Sequence, residues 1–187
     1  MLLQRTRADQ VVPVYEQFAA KYFEPALLVR EKPEEFARVV RPLGLHWRAP
    51  LMLKMAKQLE AASGPADDLD ALLALPGVGP YAASAYLSMH RNVRAPIVDA
   101  NVVRLLGRLL GFSFDGETRR KRWLIELVER LTPRREFRDY NFAVLDLSMT
   151  VCRSKPACAG CPLRTLPCRF ATAAKPAAPA RRRRTAP

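Results

Sequence analysis

The sequence predicts an all-α protein of about eight to ten short helices. Apolar residues recur at helical spacing in one segment after another, and no stretch sustains the period-2 alternation of a strand. With 49% hydrophobic and 26% charged residues in 187, the chain has the composition of a folded globular protein, which excludes wholesale disorder.

Val11, Tyr15, Phe18 and Tyr22 form the first stripe, at i, i+4, i+7 and i+11, interrupted mildly by Pro13. Pro33 followed by Glu34 and Glu35 reads as the first turn of a helix, where proline costs no hydrogen bond and acids face the positive end of the dipole. Further helical patterns lie near residues 48–62, 68–75, 81–91, 100–111, 118–131 and 137–151. Trp47 and Trp123 are expected in the core rather than as base-stacking platforms, while His46 and His90 stand alone as structural or surface residues. A proline-bearing junction at 92–98 separates two helical domains, 1–94 and 95–170. From Ala171 to Pro187 the chain is almost entirely Ala, Pro and Arg, a composition that cannot build a core and predicts a disordered basic tail over 171–187. No internal repeat is visible.

Lys+Arg number 31 against 18 Asp+Glu, a net charge of +13. The tail holds five of these charges, so the body keeps +8, and the surplus is not a tail effect alone. Basic excess attracts polyanions, of which nucleic acid is the commonest in a cell. No apolar run approaches the roughly 18–20 residues of a membrane span. Arg5 also puts charge where a signal peptide needs apolar residues, so a soluble intracellular protein is expected.

Three motifs carry chemistry. The only cysteines, Cys152, Cys158, Cys161 and Cys168, form a C-x5-C-x2-C-x6-C pattern within one short segment. Such a cluster in a reducing compartment reads as a metal site rather than disulfides. Its single close pair suits the four separated corners of an iron–sulfur cubane better than tetrahedral zinc, although zinc or no metal stays open. Leu75-Pro76-Gly77-Val78-Gly79-Pro80-Tyr81 joins two helical patterns. Its glycines let a backbone phosphate approach a helix N-terminus, and an ordinary tight turn would use the same residues. Asp99 precedes Ala100 and Asn101 as a helix N-cap. A carboxylate so held can also stabilise an oxocarbenium-like sugar or orient a water.

Leu75-Pro76-Gly77-Val78-Gly79, Val98-Asp99-Ala100-Asn101 and the cysteine loop, in this order, resemble the helix-hairpin-helix DNA glycosylases of the endonuclease III superfamily. Leu2-Leu3-Gln4-Arg5-Thr6 and Gly44-Leu45 through Arg48-Ala49 add smaller matches, and the similarity runs from about residue 1 to 168. The resemblance implies two helical domains, a flipped base, and excision by cleavage of its N-glycosidic bond. It makes Asp99 the catalytic carboxylate and the hairpin residues Leu75, Gly77, Val78 and Gly79 the phosphate grip. It also gives Arg5, with Gln4 adjacent, the place of the residue that wedges into the duplex, and it makes the four cysteines ligands of a [4Fe-4S] cluster. Tyr81 stands where strand-cutting members carry a lysine, and a phenol cannot form a Schiff base. The chain therefore looks like the monofunctional mismatch glycosylases that remove thymine or uracil opposite guanine. An adenine glycosylase acting opposite 8-oxoguanine is the alternative, and a catalytically impaired DNA-binding relative is another.

Two departures stand out. The family's usual cysteine loop is C-x6-C-x2-C-x5-C, and the acid that monofunctional members carry would fall just upstream of Met1. The chain is thus expected to begin internally, without the family's N-terminal helices. By resemblance the partner is double-stranded DNA, bound by a monomer in the cytoplasm, at the nucleoid if the source is bacterial.

Overall fold

The computed structural model describes residues 2–3, 6–44 and 46–173. Among these residues every regular element is helical and none is a strand, as the periodicity predicts. The chain divides into two compact units, Met1–Ala95 and Pro96–Pro187.

Unit 1 opens with α1 (Ala8–Lys21), α2 (Pro25–Val29) and α3 (Pro33–Val40), followed by short 3-10 turns at Arg41–Leu43 and His46–Arg48 and then α4 (Ala49–Ala61). Gly44 ends the first of these turns at φ 66, a left-handed conformation that glycine adopts without strain. Proline starts α2, α3 and α4 within their first turns, where its missing N–H has no partner to lose. On α1 the buried stripe is Val11 and Val14, continued by Phe18 and Tyr22; Tyr15 is 57% exposed, contrary to the expected stripe. Both spacings fall on one side of a helix, so it is the packing of neighbouring elements on the Val14 edge, not the periodicity, that leaves Tyr15 outside. Phe36 is fully buried and meets Phe18 and Tyr22 edge-on, with centroids 6.2 and 5.8 Å away.

A polar staple closes this core. Glu31 accepts hydrogen bonds from the Tyr22 hydroxyl at 2.8 Å and the Lys32 amide at 3.0 Å, and pairs with Lys21 Nζ at 2.5 Å. The Lys21 ammonium, then the Tyr22 hydroxyl, hold the Glu31 carboxyl down at about 2. A depressed carboxylate stabilises the fold above its unfolded value, and that contribution fades as pH falls through 4.5 towards 2. Thermal unfolding of Glu31→Gln beside the parent protein should therefore show a Tm gap at pH 6 that narrows steadily below pH 4.5. A gap constant with pH would show that the staple acts by packing alone.

The rest of unit 1 is α5 (Leu69–Leu73) and α6 (Pro80–His90), packed through Leu72, Ala83, Leu87 and Ala95. Asp68 caps α5 by accepting from the Ala71 amide at 2.9 Å. Arg91 clasps the Asp67 carboxylate from the far end of α6, with Nη2 2.6 Å from Oδ2.

Unit 2 contains α7 (Ala100–Leu110), α8 (Arg122–Leu131), α9 (Phe137–Asp146) and α10 (Arg169–Ala173). Its core joins Val102, Val103, Leu106, Leu124 and Val128. Two expected helices are interrupted. The 118–131 pattern breaks at Lys121, because Asp115 draws Thr118 into a separate 3-10 turn by accepting from its amide and hydroxyl at 2.8 and 2.7 Å. The 137–151 pattern loosens into a π turn at Leu147–Val151, where the Cys152 amide reaches back to the Leu147 carbonyl. Trp47 and Trp123 are 59% and 45% exposed, so neither is a core residue as expected. The Arg48 guanidinium lies 4.4 Å over the Trp47 ring, and Phe112 meets Trp123 edge-on at 5.0 Å, so each ring is supported from one side. The expected disordered tail begins inside α10, since residues 171–173 are helical; residues 174–187 lie outside the described part.

Candidate active site

The hairpin 74–79 is a tight reversal between α5 and α6. Gly77 takes φ 78, a conformation that a side chain would strain, and the Val78 amide donates to the Leu75 carbonyl at 3.1 Å. Leu75 and Val78 turn inward onto the Leu72–Ala83 core. Gly79 is the N-cap of α6 in extended backbone and contributes no side-chain cap. A Cβ built on Gly79 would meet nothing within 4 Å, so no internal contact demands glycine there; a side chain would only obstruct something approaching from solvent. The four predicted hairpin residues thus divide into two that anchor the turn and two that shape its backbone. Tyr81, on the first turn of α6, is 42% exposed. Gln4 and Arg5 lie outside the described residues.

Asp99 is the N-cap of α7. Its Oδ1 accepts from the amides of Asn101 at 2.9 Å and Val102 at 2.7 Å, while Oδ2 accepts from Asn101 Nδ2 at 2.7 Å. Three donors hold a half-buried carboxylate in one orientation. The hydrogen bonds continue inward. Arg104 donates through Nη1 to Asn101 Oδ1 at 3.0 Å, through Nη2 to the Ser148 carbonyl at 2.7 Å, and through Nε to the Cys152 carbonyl at 3.0 Å. The carboxylate and the first cysteine of the loop are therefore two side chains apart.

The four cysteines form no disulfide. All four line one cavity of about 760 Å³ in unit 2, closed on one side by Leu105, Arg108 and Leu109 of α7. Among the described residues, no three His, Cys, Asp or Glu side chains gather closely enough to hold a single metal ion. Thiols spread around the walls of one cavity offer separate corners to a larger group. Arg108 Nη1 sits 3.7 Å from Cys152 Sγ, a cation placed where thiolate charge would develop.

A family profile described as "HhH-GPD superfamily base excision DNA repair protein" matches residues 1–130. The chain belongs to this superfamily. Within the curated HhH-GPD proteins it is similar to a thymine/uracil-DNA glycosylase of Pyrobaculum aerophilum, 36% identical over 91% of this chain and 77% of that protein. An adenine DNA glycosylase of Arabidopsis thaliana is 30% identical over 87% of this chain but only 29% of its own length. Among solved structures, a thermostable thymine-DNA glycosylase superposes with TM-score 0.84 at 31% identity, covering 91% of this chain and 81% of that one. A trapped endonuclease III–DNA covalent intermediate gives TM-score 0.80 at 26% identity, over 92% and 81%.

Two residues of this HhH-GPD chain that belong to the candidate site carry no motif, Arg104 and Arg108. Their signal is present all the same: two arginines four apart on a helix whose other inward positions, Val102, Val103, Leu105 and Leu106, are apolar and buried. A charge on such a face needs partners, and here the partners are main-chain carbonyls more than forty residues away.

Proposed function

We propose that the chain is a monofunctional DNA glycosylase that hydrolyses the N-glycosidic bond of thymine or uracil mispaired with guanine. The observation that carries this reading is the Asp99 carboxylate, pinned by three donors at the start of α7, together with a phenol rather than an amine at Tyr81. Similarity to thymine/uracil glycosylases at 33–36% identity over about nine-tenths of the chain supports the choice of base.

The reaction breaks the bond between the sugar C1′ and the base nitrogen. Electrons of that bond leave with the base, which takes up a proton, and positive charge develops on the sugar ring. Asp99 stabilises that charge electrostatically, and because its orientation is fixed beforehand, little reorganisation is needed as the charge forms. A water then adds its oxygen to C1′ and gives up one proton, which balances the proton taken up by the base, and an abasic site remains with the strand intact. No step calls for an amine, so Tyr81 is assigned to packing beside the flipped nucleotide. The hairpin offers phosphate the open approach at Gly79 and the N-terminus of α6, a contact that positions the duplex without reading its sequence. Gln4 and Arg5 are assigned to the duplex wedge. The chain acts as a cytoplasmic monomer on double-stranded DNA.

Cys152, Cys158, Cys161 and Cys168 fit a [4Fe-4S] cluster by donor chemistry: four thiols, no disulfide, one shared cavity and an adjacent cation. When bound, the cluster would cross-link the loop and supply no atom to the glycosidic step.

Duplexes containing G·T, G·U or 8-oxoguanine·A, incubated with the protein and then treated with alkali, test the assignment. Alkali-dependent breaks on the first two duplexes only are the expected result. Breaks confined to the third would transfer the activity to the adenine reading, which relatives 29–30% identical over 87–88% of the chain favour. Breaks on none would leave a DNA-binding relative without catalysis.

A further inference from the structure

Arg108 touches both ends of the cysteine loop. Its Nη1 donates to the Arg153 carbonyl at 2.6 Å and the Cys152 carbonyl at 3.3 Å, and its Nη2 donates to the Ser154 carbonyl at 2.9 Å. These bonds hold the segment of the first cysteine. The same guanidinium lies 4.8 Å over the ring of Phe170, two residues beyond the last cysteine. The backbone carbonyl of Arg108 in turn accepts from Cys168 Sγ at 3.6 Å.

α10 also lies along the end of α7, where the Arg169 side chain rests against Gly111, but this contact is on the side away from the cysteines. α10 has five residues and none is buried, so it contributes nothing to a core of its own. Thr172 binds back to the Cys168 carbonyl at 2.9 Å, which shapes α10 without attaching it to α7. Yet Phe170, Ala171 and Thr172 form part of the wall of the cysteine cavity. Any opening of the cavity on this side must separate the phenyl ring from the guanidinium.

We propose that Arg108 and Phe170 form a latch that closes the cysteine cavity and sets how long a bound iron–sulfur cluster is retained. The proposal rests on the cluster reading above. A planar guanidinium suits the task because it can fork its donors onto three carbonyls in its plane while its face stacks on an aromatic ring. Lysine would keep the charge but lose both the fork and the flat face.

The test is the rate at which the visible absorbance of the cluster decays in air, with chelator present, in protein purified without oxygen. Phe170→Ala should lose the band on the order of fivefold faster than the parent, and Arg108→Lys on the order of tenfold faster. Phe170→Trp, which keeps a ring for the guanidinium, should return the rate to the parent value. In cluster-free protein, hydrogen exchange at the Thr172 amide should quicken in Phe170→Ala, which reads the latch without any metal. A brown parent protein whose band decays no faster in Phe170→Ala would overturn the latch alone. A parent protein carrying neither iron nor the band would overturn the cluster reading and the latch with it.

Discussion

Asp99→Asn should slow base excision on the order of 10³-fold, equivalent to about 4 kcal/mol of barrier, while leaving duplex affinity nearly unchanged. Asparagine is as good an N-cap as aspartate, so its Oδ1 can still accept from the Asn101 and Val102 amides and α7 keeps its start. What disappears is the negative charge that the proposed mechanism sets beside the developing sugar cation. The replacement also turns an Nδ2 group towards Asn101 Nδ2, which now donates to Asp99 Oδ2. That mismatch should cost about 1 kcal/mol of stability, small beside the catalytic effect. Single-turnover excision on a G·U duplex and fluorescence anisotropy on the same duplex separate the two. Excision within tenfold of the parent would leave Asp99 as a cap and nothing more. Asp99→Ala, which removes the cap as well, should add about 1 kcal/mol of destabilisation.

Phe36→Ala should destabilise unit 1 by about 3–5 kcal/mol, the cost of emptying a fully buried aromatic site. The ring has no exposed surface and supports both Phe18 and Tyr22, so deleting it leaves neighbours that cannot collapse without moving α1. Tyr22 also carries the hydroxyl that binds Glu31, so the polar staple should loosen with the core. Denaturant unfolding should move the midpoint sharply downwards, with Phe36→Leu losing under about 1.5 kcal/mol because it nearly conserves volume. Equal losses for the two variants would mean that the aromatic edge contacts, not the filled volume, hold the site.

Much of the candidate site's local geometry is legible in residue order. Gly77 had to be small because the turn demands positive φ, and Asp99 had to cap because it precedes a helical run; both roles are local and both are present. Four cysteines in one segment announced a shared destination, because nothing else in the chain competes for them. The exposure of the tryptophans has a physical reason that spacing does not carry. Spacing reports which side chains share a face, and it cannot say whether a neighbour covers that face. Arg48 and Phe112 each cover one side of a ring and leave the other open.

By itself the sequence determined the helical class, most helix positions, the Asp99 cap and the hairpin turn, since each depends on contacts within a turn or two of chain. Only the tertiary structure decided what those pieces do together. It brought Arg104 and Arg108 of α7 against carbonyls 44–48 residues away and laid Phe170 on a guanidinium. It also connected Asp99 to the cysteine loop through Asn101 and Arg104. Hydrogen bonds to main-chain carbonyls carry no residue code, because every residue offers the same acceptor, so packing alone selects which carbonyl an arginine finds.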